Sequence, residues 1–182
     1  PILHKKLLYL SRIHPKKGVE LLIEVIYSLK EELKEYEIII AGEGEQEYIN
    51  QLQQQLRNHD IQNVKFIGGV YNEAKWQLYT NADCFILPTF SENFGYVIAE
   101  SLACGTPVIT TQGTPWQDLE TYQCGLWIDR NKENLIAAIK KILSMNYDDI
   151  YIWGKNGRQL IQKKYTTQIM AQKLYQLYLS LI

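Results

Sequence analysis

Two carboxylates eight positions apart, Glu92 and Glu100, stand in a stretch that otherwise reads as core, Thr89-Phe-Ser-Glu-Asn-Phe-Gly-Tyr-Val-Ile-Ala-Glu-Ser-Leu-Ala-Cys-Gly-Thr-Pro107. Burying acids for packing alone is costly, so the pair marks a candidate site. General acid–base work is the first chemistry such a pair suggests. A helix starting near Phe94 changes that reading: Glu92 lies just before it and Glu100 about two turns inside, separated by on the order of 10 Å along the axis. That spacing suits a clamp on a diphosphate that links two sugars. The first N–H groups of the helix would face the diphosphate, and Gly95 has no side chain to block its approach. Glu100 shares its face with Val97, Ala103 and Cys104, apolar surroundings in which a carboxylate needs donors such as the two hydroxyls of a ribose. Two plainer readings stay open: Glu92 favours the helix dipole, and Glu100 pairs with a lysine.

Cations suited to a diphosphate stand elsewhere in the chain. Arg12 and Lys17 share one loop, the first a planar fork and the second a mobile point charge. A solvated loop would also carry such residues, which is how Lys5, Lys6 and Lys16 are read. Gly42-x-Gly44 follows a strand but lacks the third glycine of a dinucleotide fingerprint, so it does not indicate NAD. Its glycines fit a strand-to-helix turn equally well.

The elements that must position these residues follow from periodicity. Strands are expected at Leu7–Leu10, Glu37–Ala41, Val64–Ile67, Asp83–Leu87, Pro107–Thr110 and Cys124–Ile128. Helices are expected at Val19–Glu35, Gln46–His59, Glu73–Asn81, Phe94–Cys104, Lys132–Ser144, Asp148–Lys164 and Gln168–Leu181. Alternating helices and short apolar strands indicate a doubly wound, Rossmann-like α/β domain, a parallel sheet of about six strands covered on both faces. In such a sheet ligands bind beyond the carboxyl ends of the strands. Arg12 and Lys17, Gly42 and Gly44, Gly68 and Gly69, Ser91 and Glu92, and Gln112 and Gly113 follow successive strands and therefore share that edge.

Bulk properties narrow the function classes. The 182 residues suit one domain, 1–182, with a helical C-terminal segment at 148–182, and the net charge of -1 gives no overall field toward nucleic acid. Cys84, Cys104 and Cys124 form no C-x-x-C pair and read as reduced core thiols. No D-x-D occurs, and His4, His14 and His59 are not at metal-ligand spacing, so no metal site is expected. No apolar run approaches the ~18 residues of a membrane span, and no signal-peptide pattern opens the chain. A first residue of Pro rather than Met suggests a piece of a longer protein.

The motifs Arg12-x-x-x-x-Lys17-Gly18, Gly42-x-Gly44, Val64-x-Phe-x-Gly68, Pro88-x-x-x-Glu92-x-Phe-Gly95 and Glu100-x-x-Ala-x-Gly-x-Pro-Val108 recur in that order. Together they resemble the C-terminal, nucleotide-sugar-binding domain of the retaining GT-B glycosyltransferases of group 1, over most of the chain. The resemblance implies the C-terminal half of a GT-B fold and an enzyme that moves a sugar from a UDP- or GDP-sugar to an acceptor, with retention and without metal or cofactor. It matches Arg12 and Lys17 to the diphosphate pair, Glu92 to the acid on the donor sugar and Glu100 to the acid on the ribose. Asn93, Phe94 and Gly95 fall where the family meets phosphate and sugar, and Gly69 and Val70 on the loop that edges the base, beside Gly42 and Gly44.

It further implies a sugar or lipid-linked acceptor held by an absent N-terminal domain, without which this part would be inactive. Surface polysaccharide assembly, a cytoplasmic location and peripheral membrane association of the full-length protein are expected on the same ground. Asn93 replaces a common glycine, and Gln112-Gly-Thr-Pro-Trp-Gln-Asp118 replaces a Gly-Gly stretch. Within it Trp116 either covers the crevice or packs, packing being favoured. The apolar last helix, ending Leu174-Tyr-Gln-Leu-Tyr-Leu-Ser-Leu-Ile182, is expected to lie against another domain or a second copy. A non-catalytic module that pairs with a separate acceptor-domain chain, and a GT-B sugar-nucleotide epimerase, remain the alternatives.

Overall fold

The computed structural model describes residues 5–179, the side chain of residue 173 excepted; His4 and the expected end of the last helix at Leu181 lie outside the described residues. Six strands, β1 (Lys6–Leu10), β2 (Glu37–Ala41), β3 (Val64–Gly68), β4 (Cys84–Leu87), β5 (Val108–Thr111) and β6 (Gly125–Ile128), form one sheet in the order β3-β2-β1-β4-β5-β6. Every pairing is parallel. Chain order reverses between β1 and β4, which is where a doubly wound sheet opens its crevice.

Burial follows position in the sheet. The interior strands β4 and β5 are buried at every residue, as expected for parallel strands covered on both faces. Two threonines in β5 satisfy their hydroxyls internally: Thr110 Oγ1 donates to Leu87 O at 2.9 Å and Thr111 Oγ1 to Thr89 O at 2.5 Å. At the edge, β3 is only partly covered, and Lys65 pairs with Glu37 on β2. A lysine on an edge strand discourages pairing with another sheet.

The helices are α1 (Val19–Ser28), α2 (Lys30–Leu33), α3 (Gln46–Asn58), α4 (Asn72–Thr80), α5 (Tyr96–Cys104), α6 (Asp118–Thr121), α7 (Lys132–Leu143), α8 (Tyr147–Lys164) and α9 (Thr167–Leu179). The single helix expected over Val19–Glu35 breaks at Leu29, which leaves helical geometry at φ -109° and ψ 25°. No Gly or Pro marks the break; the Leu29 side chain is buried in the core there. The short α6 was not expected, because four residues are too few to show a period.

A second correction bears on the site. The helix expected from Phe94 begins at Tyr96, after Gly95 at φ 82°. That left-handed conformation favours glycine, and it ends the loop sharply. Glu100 therefore lies one turn inside α5 rather than two. At its other end α5 packs closely on α8, where a Cβ on Gly154 would stand 2.1 Å from Gly105 O.

Cys84 and Cys124 are buried and Cys104 is partly buried, all as free thiols. The described part of α9 exposes Met170, Leu174, Tyr175, Leu177, Tyr178 and Leu179. No helix among the described residues is long and apolar enough to cross a membrane.

Candidate functional site

The loop after β1 is fastened on both sides. Toward β2, Ser11 N donates to Ala41 O at 3.1 Å and Ile13 N to Glu43 O at 2.7 Å. These contacts explain the glycine pair. A Cβ on Gly42 would lie 1.8 Å from Ser11 O, and one on Gly44 would lie 2.3 Å from Ile13 O. Close backbone approach requires both glycines, and the same approach makes them the floor of a cleft. Toward β4, Gly18 allows Pro88 O to come within 2.0 Å of where a Cβ would stand. Phe90 N and Thr89 Oγ1 both donate to Lys16 O, at 2.9 and 3.0 Å.

The arrangement separates the two cations chemically. Arg12 is exposed and has no ion-pair partner among the described residues, while Tyr9 Oη donates to its backbone carbonyl at 3.2 Å. Lys17 reaches across the crevice and pairs with Glu92, both side chains being largely covered. The expected cation loop and acidic loop thus meet directly.

The loop after β4 is held from the β5 side. Glu92 N donates to Gly113 O at 3.0 Å, and a Cβ on Gly113 would lie 1.9 Å from Phe90 O. Trp116 is fully buried, so it packs rather than covers the crevice. Its indole Nε1 donates to Phe94 O at 2.5 Å, and its ring lies 5.2 Å from Phe94 and 4.8 Å from Tyr165. Tyr165 is fixed in turn by its hydroxyl, which donates to Asp118 Oδ2 at 2.8 Å. The departure Gln112–Asp118 therefore serves as a brace that sets the entry to α5.

At that entry the first inward bond is Ile98 N to Gly95 O, 2.9 Å. The N–H groups before it point out of the helix, as at any helix N-terminus. They open on a cleft of about 780 Å³ lined by Arg12, Lys17, Glu92, Asn93, Phe94 and Gly95 among others. A second cleft of about 680 Å³ adjoins it, sharing Ser11, Arg12 and Val97, and is lined further by Gly42, Gly44, Gly69, Val70 and Tyr71. Ten of the eleven residues that the resemblance matches to the donor line one cleft or the other.

Glu100 is the exception. It lines neither cleft, and its surroundings are less apolar than expected. Lys75 Nζ lies 2.7 Å from one carboxylate oxygen, and the Tyr79 hydroxyl donates to the other at 3.1 Å. The plainer reading, a lysine pair, is what the structure contains. Sequence reasoning passed over Lys75, Tyr79, Glu43 and Tyr71. Lys75 and Tyr79 are four apart on α4 and so share a face, a signal available from the sequence; the partner they share was not.

Residues 4–160 match the family described as glycosyl transferases, group 1. An uncharacterized glycosyltransferase of Methanocaldococcus jannaschii is 26% identical over 183 residues, covering 96% of this chain and 44% of that protein. Sucrose-phosphate synthase from Thermosynechococcus elongatus superposes with a TM-score of 0.83 at 25% identity, over 97% of this chain and 45% of its own. Anabaena HepE, solved in complex with UDP and glucose, gives 0.82 at 21% identity over 96% and 48%. The chain thus spans about half the length of these proteins. Sheet order and family match converge: the chain belongs to the group 1 glycosyltransferases and has their Rossmann-like GT-B fold.

Proposed function

We propose that this chain is the donor-binding domain of a glycosyltransferase that takes a UDP- or GDP-sugar and transfers its sugar, with retention, to an acceptor held by another part of the protein. The observation that carries the reading is the continuous cleft at the switch between β1 and β4. It places Arg12, Lys17 and the start of α5 around one space, with Glu92 at its wall. A diphosphate there would meet a guanidinium, an ammonium and outward N–H groups. As the bond from the anomeric carbon to the diphosphate breaks, both its electrons stay with the diphosphate, and fixed positive groups stabilise that charge. In this reading these groups do the work assigned to a metal in other transferases, and no cofactor is needed.

Glu92 then holds donor-sugar hydroxyls, and Glu100 the ribose. Asn93, Phe94 and Gly95 contact phosphate and sugar, while Gly42, Gly44, Gly69 and Val70 surround the base. The exposed apolar face of α9 supports contact with an acceptor-binding part, and surface glycan assembly at the cytoplasmic face of a membrane is the proposed setting. Titration calorimetry with UDP, GDP and their sugars tests the reading: saturable binding is expected, and no binding to any of them would sink it.

A further inference from the structure

The cleft between the loops after β1, β2 and β3 is lined by charged side chains of both signs. Arg12, the only Lys or Arg among the described residues that line it, stands where the two clefts join. Away from that junction the wall carries Glu43 and Glu45. A nucleoside diphosphate with its phosphates in the cleft that holds Arg12 and Lys17, and its base in this adjoining one, would meet carboxylates there.

One of these acids is held in place. Gly69 has no side chain, and the space above it is taken by Glu43 Oε1 and the Tyr71 hydroxyl, 2.7 and 2.9 Å from where a Cβ would stand. The Tyr71 hydroxyl bonds to the Glu43 carboxylate, which raises the pKa of the phenol. Tyr71 is otherwise 62% exposed, leaving a ring face for a base to stack on. Glu43 keeps further lone pairs directed at the cleft, since an ionised carboxylate is an acceptor at about four sites.

We propose that Glu43, held over Gly69 by Tyr71, reads the nucleobase and selects guanine, so that the donor is a GDP-sugar. This rests on the nucleotide-binding reading above. A carboxylate is an acceptor only, so it discriminates by the donors a base presents along one edge. Guanine presents two side by side, N1–H and the N2 amino group, matching the two oxygens of a carboxylate. Uracil presents a single N3–H between two carbonyl oxygens, which a carboxylate repels. Adenine sets one amino group beside a ring acceptor. The cleft, at about 680 Å³, has room for a purine.

Calorimetry on the chain with GDP, UDP and ADP at one ionic strength tests this. GDP is expected to bind tighter than either rival by about tenfold or more, as for hydrogen bonds to a charged group. Glu43→Gln, which replaces one acceptor oxygen by a donor, should weaken GDP by about tenfold and leave UDP bound at least as tightly, since the repulsion of its carbonyl oxygens is relieved. Tyr71→Phe keeps the ring and should lose part of the preference. UDP binding as tightly as GDP to the unaltered chain would overturn the inference while leaving the binding reading intact. Equal losses of GDP and UDP in Glu43→Gln would also overturn it. Failure of all three nucleotides to bind would remove both readings. A thermal melt of each variant separates a folding defect from lost recognition.

Discussion

Lys75 Nζ lies 2.7 Å from Glu100 Oε1, joining α4 to α5 through a part-buried ion pair beside the clefts. Tyr79, one turn along α4, holds the other oxygen, so the carboxylate has one fixed orientation; in the proposed reading its remaining lone pairs accept from ribose hydroxyls. Lys75→Ala is expected to weaken GDP and UDP binding about tenfold by releasing Glu100, and Lys75→Arg to restore most of it. Glu100→Ala should lose at least as much. Nucleotide affinity unchanged in Lys75→Ala, by calorimetry, would show that Glu100 acts only as a structural partner.

Glu92 and Lys17 neutralise each other across the crevice, so removing either has an unequal effect on the other's ligand. Lys17→Ala should weaken the nucleoside diphosphate and the nucleotide-sugar alike, by roughly the tenfold of a lost charge-assisted contact. Glu92→Ala should remove the additional affinity of the sugar while the diphosphate binds as well or more tightly, since Lys17 is released. Parallel titrations with the nucleotide and its sugar check this; equal losses in Glu92→Ala would refute the assignment.

Trp116 fills the junction between the β4 and β5 loops and α8. Trp116→Ala is expected to cost about 3–5 kcal/mol, as for other large buried side chains. Trp116→Phe should cost about 1–3 kcal/mol, because the Phe94 carbonyl loses its indole donor. Urea denaturation measures both. If the packing also sets the entry to α5, nucleotide-sugar affinity in Trp116→Phe should fall even where the protein remains folded.

The three thiols should differ in reactivity. Burial pushes the Cys124 thiol up to about 12, with the nearby Asp118 charge adding to it, and Cys84 is raised further by full burial and Asp83. Cys104 is raised mainly by partial burial, which the neighbouring Arg158 opposes. Only the thiolate reacts, so iodoacetamide at pH 8 should label Cys104 first in the native protein. Mass spectrometry of peptides from a time course would show the order, and early labelling of Cys84 or Cys124 would contradict it.

Much of the fold was legible in the sequence because its strands carry their burial openly. Cys84-Phe-Ile-Leu87 and Glu37-Ile-Ile-Ile-Ala41 are apolar over several residues and end in Pro or Gly. Element ends were less legible. Phe94 looked helical since it continues an apolar period, yet Gly95 in a left-handed conformation delays the helix to Tyr96. Leu29 gave no sign of a break, since no Gly or Pro stands there and its apolar side chain continues the helical period.

For Glu92 and Glu100, the sequence by itself determined that chemistry-bearing residues follow the strands, and in a parallel sheet all such residues share one edge. Side-chain spacing along one helix could not say which neighbours each acid meets. The tertiary structure decided that, through a strand order that places the β1 loop against the β4 loop and α4 against α5. It joined Glu92 to Lys17 and Glu100 to Lys75, and turned Trp116 inward. Those partners are 75, 25 and 22 positions apart in the chain, the last being Trp116 with Phe94. Contacts at such separations depend on packing between elements, and no local period records them.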